Sequence, residues 1–272
     1  MPELPEVQTV ADSLRAPLIG RAIADATVHW PRTIACPSAE QFAGQVTGRR
    51  IRHVSRRGKY LIIELDRGHL LIHLKMSGRL RVVPAQEPPD SHNRVILDLD
   101  DGRQLRFTDA RKFGRIYLVD DPQEVTAMLG PEPLDDAFAL ADFRRQLARR
   151  TGRLKPLLLN QRFLAGLGNI YADEALFAAQ LHPLRRAASL TPAEQARLYE
   201  AIRTVLGNAV TGRGTTLSDG GYTDASGQPG AYQNRLAVYG RAGKPCPRCQ
   251  GPVERLVVAG RSAHYCPSCQ PE

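Results

Sequence analysis

Four cysteines near the end of the chain, Cys246-x2-Cys249-x16-Cys266-x2-Cys269, restrict what it can fold into more than any other feature. Two CxxC pairs separated by ~15–20 residues have the spacing of a four-thiolate zinc site. Each pair closes a tight turn that aims two sulfurs at one point, and the stretch between them forms a hairpin that completes the tetrahedron. Two disulfides in a secreted protein would use the same residues. The opening segment Met1-Pro2-Glu3-Leu4-Pro5-Glu6 is acidic and proline-bearing, the opposite of a secretory leader, and so favours the metal. With four protein ligands the ion keeps no open position. One structural Zn2+ is therefore expected, with no organic cofactor. Cys36 is left over as a plain thiol.

The rest is ordinary globular material with a positive excess. Hydrophobic residues make up 42% and charged residues 24%, ample apolar surface to exclude disorder as the main state. At 272 residues a single core is near its useful limit, which points to two domains. No apolar run approaches the ~20 residues that span a bilayer, so a cytoplasmic monomer without membrane contact is expected. Lys+Arg number 37 against 28 Asp+Glu, a net charge of +9 that favours a polyanionic partner. The excess is clustered. Residues 49–59 carry six Lys/Arg and no acid, and residues 144–155 carry another six, among them Arg153 and Lys155. Either run alone reads as a solvated face. Two of them, one per proposed domain, favour nucleic acid held through salt-dependent, sequence-blind phosphate contacts.

From Pro5 onward Val7, Val10, Ala11, Leu14 and Leu18 recur at helical spacing, and Gly20 marks a stop. From about residue 22 to 120 the signal is strand. Tyr60 to Leu65 and Leu70 to Leu74 flank Asp66-Arg67-Gly68; Val95 to Leu99 and Gln104 to Thr108 flank Asp101-Gly102; Arg115 to Val119 adds another strand. Gly130-Pro131-Glu132-Pro133 reads as a linker to a helical region. There Thr191-Pro192-Ala193-Glu194 is a capping box, and its helix carries Leu198, Ile202, Val205, Leu206 and Ala209 on one face. Residues 213–231 are too polar and glycine-rich for a core element, so a functional or mobile loop is expected. The expected class is α+β, with a β-rich domain over 1–130, a helical domain over 131–236 and the zinc hairpin over 237–272.

The N-terminus permits unusual chemistry. Removal of Met1 would leave Pro2 with a free secondary amine. An α-amino group has a pKa of about 7.7–8.0, so part of it is neutral and nucleophilic near pH 7. Its attack on an aldehyde-level carbon gives an iminium ion, an electron sink that needs no metal. Glu3 is adjacent, and Glu6 falls on the same side of the first helical turn. Proline and glutamate are equally the residues that start a helix, so the pattern alone leaves both readings open.

Six segments in order resemble bacterial formamidopyrimidine-DNA glycosylases. They are Pro2-Glu3-Leu4-Pro5-Glu6-Val7, Arg57-Gly58-Lys59-Tyr60-Leu61, His73-Leu74-Lys75-Met76-Ser77-Gly78, Thr108-Asp109-Ala110-Arg111-Lys112-Phe113-Gly114, the stretch Gly166-Leu167-Gly168-Asn169-Ile170-Tyr171-Ala172-Asp173-Glu174, and the cysteine hairpin with Gly260-Arg261. The resemblance implies a sandwich-like catalytic domain with a leading helix, a helix-two-turn-helix and a zinc β-hairpin. It also implies an enzyme that excises 8-oxoguanine and formamidopyrimidines from damaged duplex DNA and then nicks the abasic site by β,δ-elimination. Carried onto this chain, Pro2 is the nucleophile at C1′ and Glu3 the acid/base, with Glu6 beside them. Lys59 binds phosphate next to the lesion, and Arg261 contacts phosphate from the hairpin. Flipping a base leaves a gap. The resemblance assigns its filling to Met76, Arg111 and Phe113, although packing at a strand end is the plainer role for Met76 and Phe113. Asn169 is a phosphate ligand or a simple helix cap. His73 and His92 are phosphate contacts or packed histidines, and Tyr222 and Thr223 belong to the loop that closes over the flipped base. Arg153, Lys155 and Tyr239 complete the expected DNA contacts.

Departures are small. Gln8 stands where many relatives carry Glu, Lys112 replaces the common Arg, and Gln250-Gly251 follows the second cysteine. Leu4 and the Arg111-Lys112-Phe113 segment argue against the related endonuclease VIII-like glycosylases of oxidised pyrimidines. A noncatalytic zinc-finger DNA-binding protein would not need the Pro2 terminus. A nuclease with hydrolytic metals would need an open carboxylate and histidine site, which the sequence does not display.

Overall fold

Alternating burial builds the strands from which the first unit is made. The computed structural model describes residues 1–218 and 220–272; Asp219, in the polar loop, lies outside the described residues. The chain divides into two compact units, residues 1–128 with 212–233, and residues 129–211 with 234–272.

In the first unit the leading helix α1 (Leu4–Leu18) buries Val7, Val10, Ala11, Leu14 and Leu18. This is the i, i+3, i+4 stripe of a helix with one face in a core. Gly20, at φ +86°, follows its end. Then come β1 (Ile23–Val28), β2 (Ile34–Cys36), α2 (Ala39–Val46), β3 (Ile51–Arg57), β4 (Tyr60–Leu65), β5 (His69–His73), β6 (Gly78–Pro84), β7 (Asn93–Leu99), β8 (Arg103–Asp109), β9 (Arg115–Val119) and a single turn of helix, α3 (Gln123–Thr126). They form a five-stranded sheet in the order β2-β9-β5-β4-β3 and a four-stranded sheet in the order β1-β7-β8-β6. Strand β4 buries Leu61, Ile63 and Leu65 in alternation, whereas the central β5 is buried at every position from Leu70 to His73. One continuous core joins both sheets, α1 and α2. Each fully buried Leu or Ile there contributes roughly 1.5–3 kcal/mol.

The polar segment departs from expectation. Its described residues carry no helix or strand, yet they are packed. Tyr222 and Ala225 join the core of the first unit, and the Ala225 N–H donates to Ser13 Oγ at 3.1 Å. The Arg213 guanidinium pairs with the buried Asp224, whose Oδ1 also accepts the N–H groups of Ser226 and Gln228. Its glycines and polar residues are used to satisfy one another. Residues 212–233 therefore group with the β-rich unit rather than with the helix before them or the hairpin after them in sequence.

The second unit contains α4 (Leu140–Leu147), α5 (Leu154–Leu159), α6 (Asn169–Ala178), α7 (Pro192–Thr211) and the hairpin β10 (Glu254–Val258) with β11 (Arg261–Tyr265). The capping box at Thr191 is formed: Thr191 N–H donates to Glu194 Oε2 at 2.8 Å, and Glu194 N–H to Thr191 Oγ1 at 3.2 Å. Helix α6 is buried from Ile170 to Phe177, including Asp173 and Glu174. Among the described residues no helix is long and apolar enough to cross a membrane.

Candidate functional site

Pro2 and Glu3 are both buried immediately before α1, while Met1 is 50% exposed. Glu6 organises this end. Its Oε2 accepts the Glu3 N–H at 2.7 Å, and its Oε1 accepts the Thr215 N–H at 2.8 Å. Glu6, expected beside Pro2 and Glu3, thus spends its carboxylate holding backbone N–H groups on either side of it. Gly214, at φ +75°, lies against it; a Cβ there would meet Glu6 Oε1 at 2.8 Å.

Lys59 follows Gly58 in the two-residue turn between β3 and β4 and is buried. Burial first, then the charges of Lys75 and Lys59, holds the His73 imidazole down to about 3. His73 Nδ1 accepts the Lys75 N–H at 3.0 Å, and its ring meets Tyr60 edge-on. At neutral pH the buried His73 ring is therefore uncharged. His92 is exposed and sits against Asp90 Oδ1 at 3.0 Å.

Met76 is 45% exposed and Phe113 48%, which rules out core packing for either in this state. Arg111 is exposed too, its guanidinium carbon 5.1 Å from the Phe113 ring centroid. These three lie on two adjacent turns, after β5 and after β8. Tyr222 is instead buried; its hydroxyl donates to the Arg213 carbonyl, and burial pushes its phenol up so that it stays protonated. As placed, it supports the loop from within rather than offering a surface contact. Thr223 beside it is half-buried.

In the second unit Lys155 corrects the sequence reading outright. Its side chain is fully enclosed, 2.6 Å from Asp173 Oδ1 and 2.9 Å from the Asn169 carbonyl. A cation spent on a buried carboxylate cannot also meet a phosphate at the surface. Arg153, just before α5, remains exposed. Asn169 is the first residue of α6; the cap position belongs to Gly168, and Asn169 Oδ1 accepts no hydrogen bond. Capping is thus not its role. The helix start nevertheless presents backbone N–H groups of the kind that bind anions.

Two carboxylates that sequence reasoning missed join α6 to the end of the chain. Asp173 Oδ2 accepts the His264 N–H at 2.9 Å. Glu174 accepts the N–H groups of Ala237, Val238 and Tyr239 at 2.8–2.9 Å. Burial raises the Glu174 carboxyl despite those three donors. Tyr239 is thereby fixed by its backbone, its half-buried ring against His264. The only sequence signal was a pair of adjacent acids inside an otherwise apolar helix. Arg261 is exposed at the start of β11, after a turn whose two central residues, Ala259 and Gly260, both have positive φ. That geometry is the tight two-residue hairpin turn, with Val258 paired to Arg261 across it.

The four cysteine sulfurs lie within 4.8 Å of one another, with Cys246 to Cys269 at 3.9 Å and Cys249 to Cys266 at 3.4 Å. None is in a disulfide. Tetrahedral Zn–S bonds of ~2.3 Å place sulfurs about 3.8 Å apart, so the set fits one structural Zn2+. Cys36 is exposed and unpaired.

Comparison with known proteins agrees along the whole chain. The family model for the formamidopyrimidine-DNA glycosylase N-terminal domain matches residues 1–116, that for its H2TH domain residues 129–219, and that for the zinc finger found in FPG and IleRS residues 243–271. A formamidopyrimidine-DNA glycosylase of Herpetosiphon aurantiacus is 52% identical over 260 residues, covering 94% of each chain. The crystal structure of the MutM (Fpg) protein of Thermus thermophilus has a TM-score of 0.91 at 47% identity, covering 100% of this chain and 99% of that one. Lactococcus lactis Fpg in complex with an abasic-site DNA has a TM-score of 0.92 at 36% identity, covering 99% and 100%.

Proposed function

The chain belongs to the formamidopyrimidine-DNA glycosylase family, a DNA-repair glycosylase with abasic-site lyase activity, and on that premise we propose that Pro2 and Glu3 carry its chemistry. The observation that supports this is the grip of Glu6 on the Glu3 backbone, which holds the first residues of the chain in one buried place. Once Met1 is removed, the Pro2 amine attacks C1′ of the flipped nucleotide. The N-glycosidic bond breaks, and the base leaves with a proton. Glu3 supplies a proton to the sugar ring oxygen as the ring opens, giving a Pro2 iminium. Loss of a C2′ proton then expels the 3′-phosphate, and a second elimination expels the 5′-phosphate. Lys59 and Arg261 stabilise the phosphates that depart. Met76, Arg111 and Phe113 fill the gap left by the base, a pliable thioether, a planar cation and a flat apolar ring. Asn169, Arg153 and His92 add contacts to the strand. Cys246, Cys249, Cys266 and Cys269 hold the zinc, which shapes the hairpin carrying Arg261.

The substrate is duplex DNA carrying 8-oxoguanine or formamidopyrimidine, met in the cytoplasm where the genome lies. The test is a duplex labelled at its 5′ end and carrying one 8-oxoguanine. Cutting at the lesion without added divalent metal, leaving a 3′-phosphate, is expected. Cutting that requires added metal and leaves a 3′-hydroxyl would overturn the reading.

A further inference from the structure

The two turns that carry Met76 and Arg111–Phe113 share one buried carboxylate. Asp109, the last residue of β8, is 1% exposed. Its Oδ1 accepts the Ser77 hydroxyl and, at 3.2 Å, the Arg111 N–H; its Oδ2 accepts the Gly114 N–H at 2.7 Å. The Arg111 N–H also reaches Ser77 Oγ at 3.1 Å. Ser77 adjoins Met76 and Gly114 adjoins Phe113, so this carboxylate touches the backbone support of all three exposed side chains. Both turns are pressed onto Phe107 without spare room. A Cβ at Gly78 would meet that ring at 2.9 Å, and one at Gly114 would meet it at 2.3 Å. The far side is anchored as well. Lys112, at φ 60°, lies over the Trp30 ring with its ammonium 4.0 Å from the centroid. Arg94 closes the circuit, its Nε donating to the Asp109 carbonyl at 2.8 Å while its own carbonyl accepts the Trp30 N–H at 3.3 Å.

We propose that Asp109 is a positioning residue that joins the two turns into one preassembled wedge, so that Met76, Arg111 and Phe113 enter the duplex as a unit. This rests on the reading that those three side chains fill the gap left by the flipped base. A flexible pair of turns would have to be ordered on every encounter with DNA. A wedge ordered beforehand spends its binding free energy on unstacking instead.

Asp109→Asn keeps the size of the side chain but turns one acceptor into a donor that faces another donor. Excision of 8-oxoguanine from a duplex is expected to slow by about tenfold or more. Cleavage of a ready-made abasic site in single-stranded DNA, where no opposite strand needs filling, is expected to stay within about twofold of the parent. Emission from Trp30, the only tryptophan, should shift as Lys112 is released. Ser77→Ala tests the same link should the first variant fail to fold, and Ser77→Thr should restore the rate. Wild-type duplex excision in both Asp109→Asn and Ser77→Ala would overturn the proposal, as would equal loss on duplex and single strand. Phe113→Ala separates the two levels. If it leaves duplex excision intact, the wedge reading itself fails; if it slows excision while Asp109→Asn does not, only the coupling fails.

Discussion

Glu6 and Thr215, far apart in sequence, meet through a 2.8 Å hydrogen bond from the Thr215 N–H to Glu6 Oε1. The other carboxylate oxygen of Glu6 holds the Glu3 N–H at 2.7 Å. One side chain therefore fixes both the start of the chain and the beginning of the segment that follows α7. Together with the Ala225 N–H on Ser13 Oγ and Tyr222 in the core, this contact makes a polar, glycine-rich stretch part of the β-rich unit.

Replacing Glu6 with Gln removes the charge and sets an amide donor against a backbone donor. A stability loss of about 1.5–3 kcal/mol is expected, read from denaturant midpoints. Single-turnover excision should slow by more than about tenfold, because Glu3 loses its backbone restraint. Gly214→Ala should act in the same direction, since its Cβ would press on Glu6 Oε1 at 2.8 Å from a left-handed backbone. Full activity in both variants would show that the tether is idle.

Lys155 makes a different prediction from the one its charge run suggested. Lys155→Met would leave Asp173 buried without its cation, at a cost of about 3–5 kcal/mol. The double variant with Asp173→Asn should recover part of that loss. A phosphate ligand would behave otherwise, weakening DNA binding and flattening its salt dependence with little change in stability. Thermal unfolding together with a salt titration distinguishes the two.

His73 is held near 3 when folded, well below the ordinary histidine value of 6.5. The unfolded chain therefore takes up the proton first as pH falls. Stability from keeping this ring neutral is complete above about 6.5 and drains away toward about 3. The slope is at most ~1.4 kcal/mol per pH unit from this one group. His73→Gln should flatten the pH dependence of the urea midpoint between about 6 and 4. An unchanged slope would show that another group is responsible.

Zinc content should be one ion per chain, and Cys249→Ser should lose it. With the metal gone the β10–β11 hairpin loses its clasp, so DNA affinity should fall while the strand signal of the first unit survives. Retained duplex affinity in a zinc-free variant would contradict the placement of Arg261 at the DNA.

Much of this was legible locally. Strand β9 spans Arg115–Val119 as its apolar run implies, the hairpins form around Asp66-Arg67-Gly68 and Asp101-Gly102, and the Thr191 capping box closes. Those features depend on period and turn chemistry within a few residues. Partners distant in sequence were not legible. Nothing near Lys155 announces that Asp173 waits for it, and nothing in residues 213–231 shows that Tyr222 packs inward. Asp109 looked like one letter of a motif, although its bonds to Ser77, Arg111 and Gly114 organise two turns. The exposure of Met76 and Phe113 was equally a tertiary fact, since either would fit a strand end.

The most direct measurement is borohydride trapping of the protein on a duplex carrying 8-oxoguanine opposite cytosine, followed by peptide mapping of the cross-link. Reduction of the iminium is expected to join the DNA to Pro2 in protein lacking Met1, and Pro2→Gly should retain lesion binding while losing most excision. A cross-link that maps to Lys59 or another lysine, or none from processed protein that binds the duplex, would contradict the assignment of Pro2 as nucleophile.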